Sequence, residues 1–284
     1  WARVFQKNGH TVKLISPQFV KPFVKTNKND ANDAEAITEA ASRPSMHFVP
    51  IKQIEQQDIQ SLHRVRSRIV KNRTALINEV RGLNLEYGIT IPQGAAKVKK
   101  ILASIITDEK NELTLSSREL MQELYDELVE IENRLKKLGI KIKIICKEND
   151  SCRRILQIPG VGELTATAFV AAVNDPNEFK NGRHMSAWLG LVPRQASSGN
   201  KQVLLGISKR GDKYLRSLLI HGARAALTHC KNTDNQYGRW LSKKKATHNL
   251  NKAAVALANK NARIIWSLLK TGKEFNCDHQ RVAA

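Results

Sequence analysis

From residue 120 to 145 the chain reads "LMQELYDELVEIENRLKKLGIKIKII", with Leu120, Leu124, Leu128, Ile131 and Leu135 recurring at three- and four-residue intervals. A strand turns alternate residues to opposite faces, so only a helix gathers this spacing on one side. Residues 61–88, "SLHRVRSRIVKNRTALINEVRGLNLEYG", carry the same period. Residues 51–147 therefore read as almost wholly helical, with a Gly/Pro turn region at "GITIPQGAAK" between two long amphipathic helices that can pair as an antiparallel hairpin. The first helix bears Arg64, Arg66, Arg68, Lys71 and Arg73 close together. Such a run is either a solvated face or a phosphate contact.

The flanking regions read differently. "WARVFQKNGHTVKLISP" predicts the end of a helix, a glycine turn and a strand around Val12–Ile15, as though the chain starts in mid-fold. A loop with Lys21, Lys25 and Lys28 follows, and Asn27 or Asn29 is the expected cap of the next helix. Residues 151–284 open with "RRILQIPGVGELTATAFVAAV", helix, Pro-Gly-Val-Gly turn, helix. This is either a helix-hairpin-helix, whose Gly160 and Gly162 let backbone N–H groups approach a phosphate, or an ordinary turn between helices. Next comes a polar loop with Ser197, Ser198 and Gly199, then Gly206, Ser208, Lys209, Arg210 and Gly211, and a helix containing Arg216. Cations on both sides of this loop are suited to holding a phosphodiester.

Net charge narrows the partner. The chain carries 47 Lys+Arg against 26 Asp+Glu, so nucleic acid is the expected ligand. Residues 151–284 hold 22 of the cations and only 7 of the acids, which makes this half the expected electrostatic footprint. Cys146, Cys152, Cys230 and Cys277 form no C-x-x-C pair, a pattern that fits a reduced cytoplasmic protein, and no apolar run reaches membrane-spanning length.

Two acids stand out in this basic chain. Asp30 and Asp33 in "NKNDANDAEAITEA" lie one turn apart. At 100° per residue, Asp30, Ala34, Ile37 and Ala41 share a stripe with Asp33 at its edge, opposite Glu35 and Glu39. The plain reading is a pair of first-turn acids favoured by the helix dipole. The other is a Mg²⁺ site, which would offset the cost of carboxylates on a buried stripe.

The ordered blocks "KTNKNDANDAEAI", "IPGVGELTATAFVAAV", "AWLGLVPRQASSGNKQVLLGISKRGDKYLRSLLIHGARAAL" and "KAAVALANKNARIIWSLLKTG" resemble the DEDD-type insertion-sequence transposases, which include the Piv-like invertases and the bridge-RNA-guided recombinases. The resemblance spans essentially the whole chain. It implies a mainly α protein with an N-terminal α/β remnant. Residues 1–50 would be the C-terminal part of a RuvC-like (ribonuclease H fold) domain, 51–150 a coiled-coil helical hairpin, and 151–284 a transposase domain carrying a serine. Asp30 and Asp33 match the final D-x-x-D of a four-acid, Mg²⁺-binding set, whose first Asp and Glu would lie upstream of Trp1. On that reading the chain is a truncated or decayed copy, inactive alone. Ser198 best matches the nucleophile, with Ser197 its competitor. The resemblance also implies DNA as substrate, a homodimer or higher oligomer, a structured guide RNA in some relatives, and a bacterial cytoplasmic, nucleoid-associated setting. Lys201, Lys209, Arg210 and Arg216 become expected phosphate clamps, joined by Arg64, Arg68, Gly160 and Gly162. Two other readings stand beside it: a non-catalytic nucleic-acid-binding remnant or regulator, and a junction nuclease that uses water.

Overall fold

The computed structural model describes residues 1–25, 27, 29–199, 201–229 and 234–278. Lys28 and Cys230 thus lie outside the described residues. The chain divides into two compact units, Trp1–Gln57 and Asp58–Ala284.

The first unit is small. Helix α1 (Ala2–Lys7) leads through a turn at Gly9 to strand β1 (Leu14–Ile15), then α2 (Pro17–Val20), a 3₁₀ turn (Lys21–Phe23), α3 (Asp30–Ser42) and β2 (Phe48–Val49). The two strands pair antiparallel, Leu14 opposite Val49 and Ile15 opposite Phe48. The strand expected at Val12–Ile15 is thus present but short. Pro17 starts α2 because its fixed φ suits the first helical position and its missing N–H costs nothing there.

The second unit begins with α4 (Ile54–Glu86), α5 (Ala95–Thr107) and α6 (Leu115–Glu148), where α4 takes its first turn from the preceding unit. Asn84 donates to the Met121 sulfur at 3.3 Å, and the Tyr87 and Ser117 hydroxyls meet at 2.5 Å, so α4 and α6 run antiparallel as expected. A third helix joins them. Val98 and Leu102 of α5 share one buried cluster with Ile69, Leu76, Ile77 and Val80 of α4 and Met121, Leu128 and Ile131 of α6. Gly94, at φ +117, makes the turn that lets α5 start.

A second cluster, mostly helical, forms around α12 (Leu250–Thr271), whose Ala253, Ala254, Leu257, Ala258, Ala262 and Ile265 are buried. Against it or near it lie α7 (Asp150–Leu156), α8 (Glu163–Ala172), α9 (Gly182–Trp188), α10 (Lys213–His229) and α11 (Gln236–Thr247). Asn149, Asn181, Asn235 and Asn249 cap α7, α9, α11 and α12 with side-chain acceptors, each satisfying a first-turn N–H. Strands β3 (Pro193–Gln195) and β4 (Leu204–Ile207) form an antiparallel hairpin between α9 and α10. The architecture is mainly α with few strands.

Candidate functional site

The acid pair is set by a cap. Asn29, not Asn27, accepts from the Asn32 backbone N–H at 2.7 Å and starts α3, placing Asp30 and Asp33 in its first turn. The expected stripe is corrected here. Asp30, Ala34, Ile37 and Ala41 face solvent, with Ile37 52% exposed, and the buried face is Ala36 and Ala40. Alanine, not isoleucine, points inward because α3 packs close to α2 and the 3₁₀ turn, where small side chains permit the approach. Asp33, half-buried, borders that alanine face, and Asp30 is open to solvent. Glu35 is engaged elsewhere, with Lys25 at 2.5 Å. Among the described residues no group of three or more His, Cys, Asp or Glu gathers. Two carboxylates one turn apart still fit Mg²⁺, which takes one or two carboxylates and completes its shell with water and phosphate oxygens.

The serines occupy the tip of the β3–β4 hairpin, where sequence alone showed only a polar loop. Ala196 N–H donates to Val203 O at 2.9 Å, and Lys201 N–H to Ser198 O at 3.2 Å. Gly199, at φ +56, turns the chain. The two hydroxyls differ. Ser197 Oγ accepts from Val203 N–H at 3.3 Å, whereas the exposed Ser198 makes no side-chain hydrogen bond among the described residues. The signal was present in the sequence, a polar Ser-Ser-Gly stretch ahead of the apolar run Val203–Leu205.

The hairpin base is locked to α9 and α10. A Cβ on Gly190 would sit 2.0 Å from Arg210 O, and one on Gly211 1.8 Å from Trp188 O, so both glycines are required by close backbone approach. Lys209 itself adopts φ +55, a left-handed conformation rare for a side-chain-bearing residue. Lys201, Lys209 and Arg210 are exposed near the hairpin. Arg216 is not, which corrects its expected role. It is 8% exposed and donates to Leu189 O at 2.9 Å and Arg210 O at 3.1 Å, tying the turn rather than facing a ligand.

The Pro-Gly-Val-Gly turn also packs inward. A Cβ on Gly160, at φ +85, would meet Gly222 O of α10 at 2.5 Å, and Asn261 holds Pro159 O at 3.0 Å. Gly160 therefore serves helix contact, while Gly162 remains exposed at the start of α8.

Arg64 and Arg68 come together in a cleft of about 360 Å³. Gln60, Arg64, Ser67, Arg68 and Lys71 line it from one face of α4, the small Ala168, Ala171 and Ala172 of α8 leave room opposite, and the α10 start closes it. At its floor lies His63, which the sequence reading did not single out. His63 Nε2 and Nδ1 lie 2.9 Å from Thr167 Oγ1 and the Tyr214 hydroxyl. Thr167 already donates to Glu163 O at 2.7 Å, so it accepts from Nε2–H, and Tyr214 donates to Nδ1. Burial, then the nearby Arg66 charge, lowers the His63 pKa to about 4, consistent with this neutral tautomer. Burial likewise pushes the Tyr214 hydroxyl and the Cys146 and Cys152 thiols up. These two cysteines are free and buried, hence inert.

No helix among the described residues is long and apolar enough to cross a membrane. Residues 1–87 match the model of a DEDD-type transposase family, and residues 152–239 that of the transposase IS116/IS110/IS902 family. The chain is 50% identical, over 98% of its length and 76% of the relative's, to the transposase of insertion sequence element IS1111A from Coxiella burnetii. It is 41% identical, over 97% of its length and 81% of the relative's, to the transposase of IS1328 from Yersinia enterocolitica. A shorter match, 35% over 25% of this chain and 23% of the relative, links it to the pilin gene-inverting protein of Moraxella bovis. With two family models and near full-length likeness at half identity, the chain belongs to the IS116/IS110/IS902 family of insertion-sequence transposases, enzymes that act on DNA.

Proposed function

We propose that this transposase breaks and rejoins DNA with Ser198 as nucleophile and Asp30 and Asp33 as two carboxylates of a Mg²⁺ site. The observation that carries the choice of serine is the contrast at the hairpin tip: Ser197 Oγ is engaged by Val203 N–H, and Ser198 is exposed without a side-chain hydrogen bond among the described residues. Ser198 Oγ loses its proton to a base and bonds to phosphorus as the P–O bond to the sugar breaks, with the departing sugar oxygen taking up a proton. The phosphoserine ester keeps the bond energy for rejoining, when another sugar hydroxyl displaces the serine. A bound Mg²⁺ supplies charge compensation to the phosphoryl oxygens. Lys201, Lys209 and Arg210 border the hairpin and hold the strand by its phosphates, while Arg64, Arg68 and Lys71 in the cleft grip backbone elsewhere.

A serine hydroxyl is a weak nucleophile unless a base or metal site reaches it. We therefore read the working form as a homodimer in which one subunit's carboxylates serve its partner's serine, with residues 1–50, 51–150 and 151–284 as the acid-bearing, helical-spacer and serine-bearing parts. Aromatic residues are only 5% of the chain, which leaves little for base stacking and is compatible with sequence choice by pairing with a guide RNA.

The test uses the full-length gene product and DNA carrying the ends of its element. A protein–DNA adduct on a denaturing gel is expected from wild type and Ser197→Ala, and none from Ser198→Ala. An adduct that survives Ser198→Ala rejects the assignment, and strand cleavage indifferent to both serines points to a water nucleophile instead.

A further inference from the structure

Between Asp234 and Glu274 the chain carries nine Lys and Arg and no acidic residue, a stretch covering all of α11 and α12. The matched family region ends at residue 239, so most of this stretch lies beyond it. On α11, Trp240, Lys243, Lys244 and Thr247 stand at i, i+3, i+4 and i+7 and so share one face. The adjoining side, with Tyr237, Gly238 and Leu241, is buried, and Trp240 at its border packs partly against the same core.

What sets this face apart from an ordinary lysine-rich surface is how its charges are held. The Lys260 ammonium lies 4.4 Å from the centre of the Trp240 ring and 5.3 Å from that of Tyr237, and the Lys244 ammonium 5.8 Å from Trp240. A lysine side chain normally has about 2 kcal/mol of rotamer entropy to lose when it grips a ligand. Here the ring's negative face already restrains two of them, as cation–π contacts do. Lys243, Lys244 and Lys245 form no ion pair among the described residues, so no internal carboxylate competes for them. Lys243, Lys244 and Lys245 along α11, with the ring-held Lys260 of α12 beside them, fit a ligand with repeated single negative charges, the sugar–phosphate backbone.

We propose that the face formed by Trp240, Lys243 and Lys244 of α11 with Lys260 of α12 is a second nucleic-acid grip, sharing no residue with the serine hairpin or the α4 cleft. It rests on the reading that the protein acts on DNA, and adds to it a backbone contact away from the reacting phosphate. Trp240 is a positioning residue in this grip: it orders the lysines rather than touching the strand.

The experiment is a salt titration of binding by the full chain to duplex DNA, to a folded RNA and to vesicles containing anionic lipid. Each released counterion steepens log K against log salt by about 0.9 for duplex and about 0.7 for single strands. Combined Lys243→Gln, Lys244→Gln and Lys260→Gln should lower that slope by about 2 on duplex DNA, on RNA or on both, and the more affected polymer identifies the strand held. Trp240→Leu, with all lysines kept, should weaken binding several-fold without changing the slope as much. Lys243→Gln alone, at an exposed position, guards against misfolding and should lower the slope by somewhat under one. Unchanged slopes on both polymers overturn the proposal, as does a loss confined to vesicles. If the unmodified chain binds no nucleic acid even at low salt, the broader reading fails with it.

Discussion

His63 shows how much one side chain can be decided by its surroundings. Its ring is 4% exposed, with both nitrogens used, and its pKa is lowered to about 4. As pH falls, the unfolded chain takes up this proton first, so stability is fully present above about pH 6.5 and declines from there toward pH 4. Urea unfolding at pH 7 and pH 5 should differ by about 2 kcal/mol from this site, at roughly 1.4 kcal/mol per pH unit. His63→Gln should remove most of that difference; an unchanged one would mean the ring is not buried neutral. Gly211→Ala is the second prediction at this scale. The new Cβ would meet Trp188 O at 1.8 Å on a backbone of φ +85, and a loss of about 3 kcal/mol or more in thermal or denaturant unfolding is expected. Lys209 presents the converse. Lys209→Gly relieves φ +55 and should stabilise by about 0.5–1 kcal/mol while weakening DNA binding, so stability and affinity should move in opposite directions.

Among elements, α4, α5 and α6 depend on apolar contact more than on charge. Leu128, fully buried between them, should cost about 3 kcal/mol when cut to alanine. Glu132→Gln, which breaks the partly exposed Lys99–Glu132 pair, should cost under about 1 kcal/mol. Denaturant unfolding of the two variants checks the ranking. The long helices were legible because Leu128, Ile131 and their neighbours repeat at the helical period. Helix α5 was hidden behind the Gly88–Gly94 turn signals, although Val98, Leu102 and Ile105 carry the same period. The serine hairpin was less legible, since Ser197, Ser198 and Gly199 read equally as loop or turn until Val203 pairs back to Ala196. For α3, capping by Asn27 or Asn29 was readable and the structure chose Asn29, but the inward face was not readable: alanine is neutral enough to lie on either side, and its packing partners chose Ala36 and Ala40.

For the molecule as a whole, the fully buried apolar residues gather in the second unit, while the first has only Ala36 and Ala40 among its described residues. Local stability follows buried contact, so amides of α3 should exchange with solvent well before those of α12, as measured by hydrogen exchange. Equal protection would contradict that ranking. Helical class, an asparagine cap ahead of the acid-bearing helix and a cationic C-terminal half were determined by the sequence alone, because periodicity, capping chemistry and charge are local or additive properties. Other features needed the tertiary structure: the burial of Arg216 in a turn, the packing of Gly160 on Gly222, the neutral His63 beneath a cationic cleft, and the seating of Lys260 on Trp240. Each arises from residues distant in sequence meeting where water is excluded or a ring face is offered, and no property of a single segment specifies which partner arrives there.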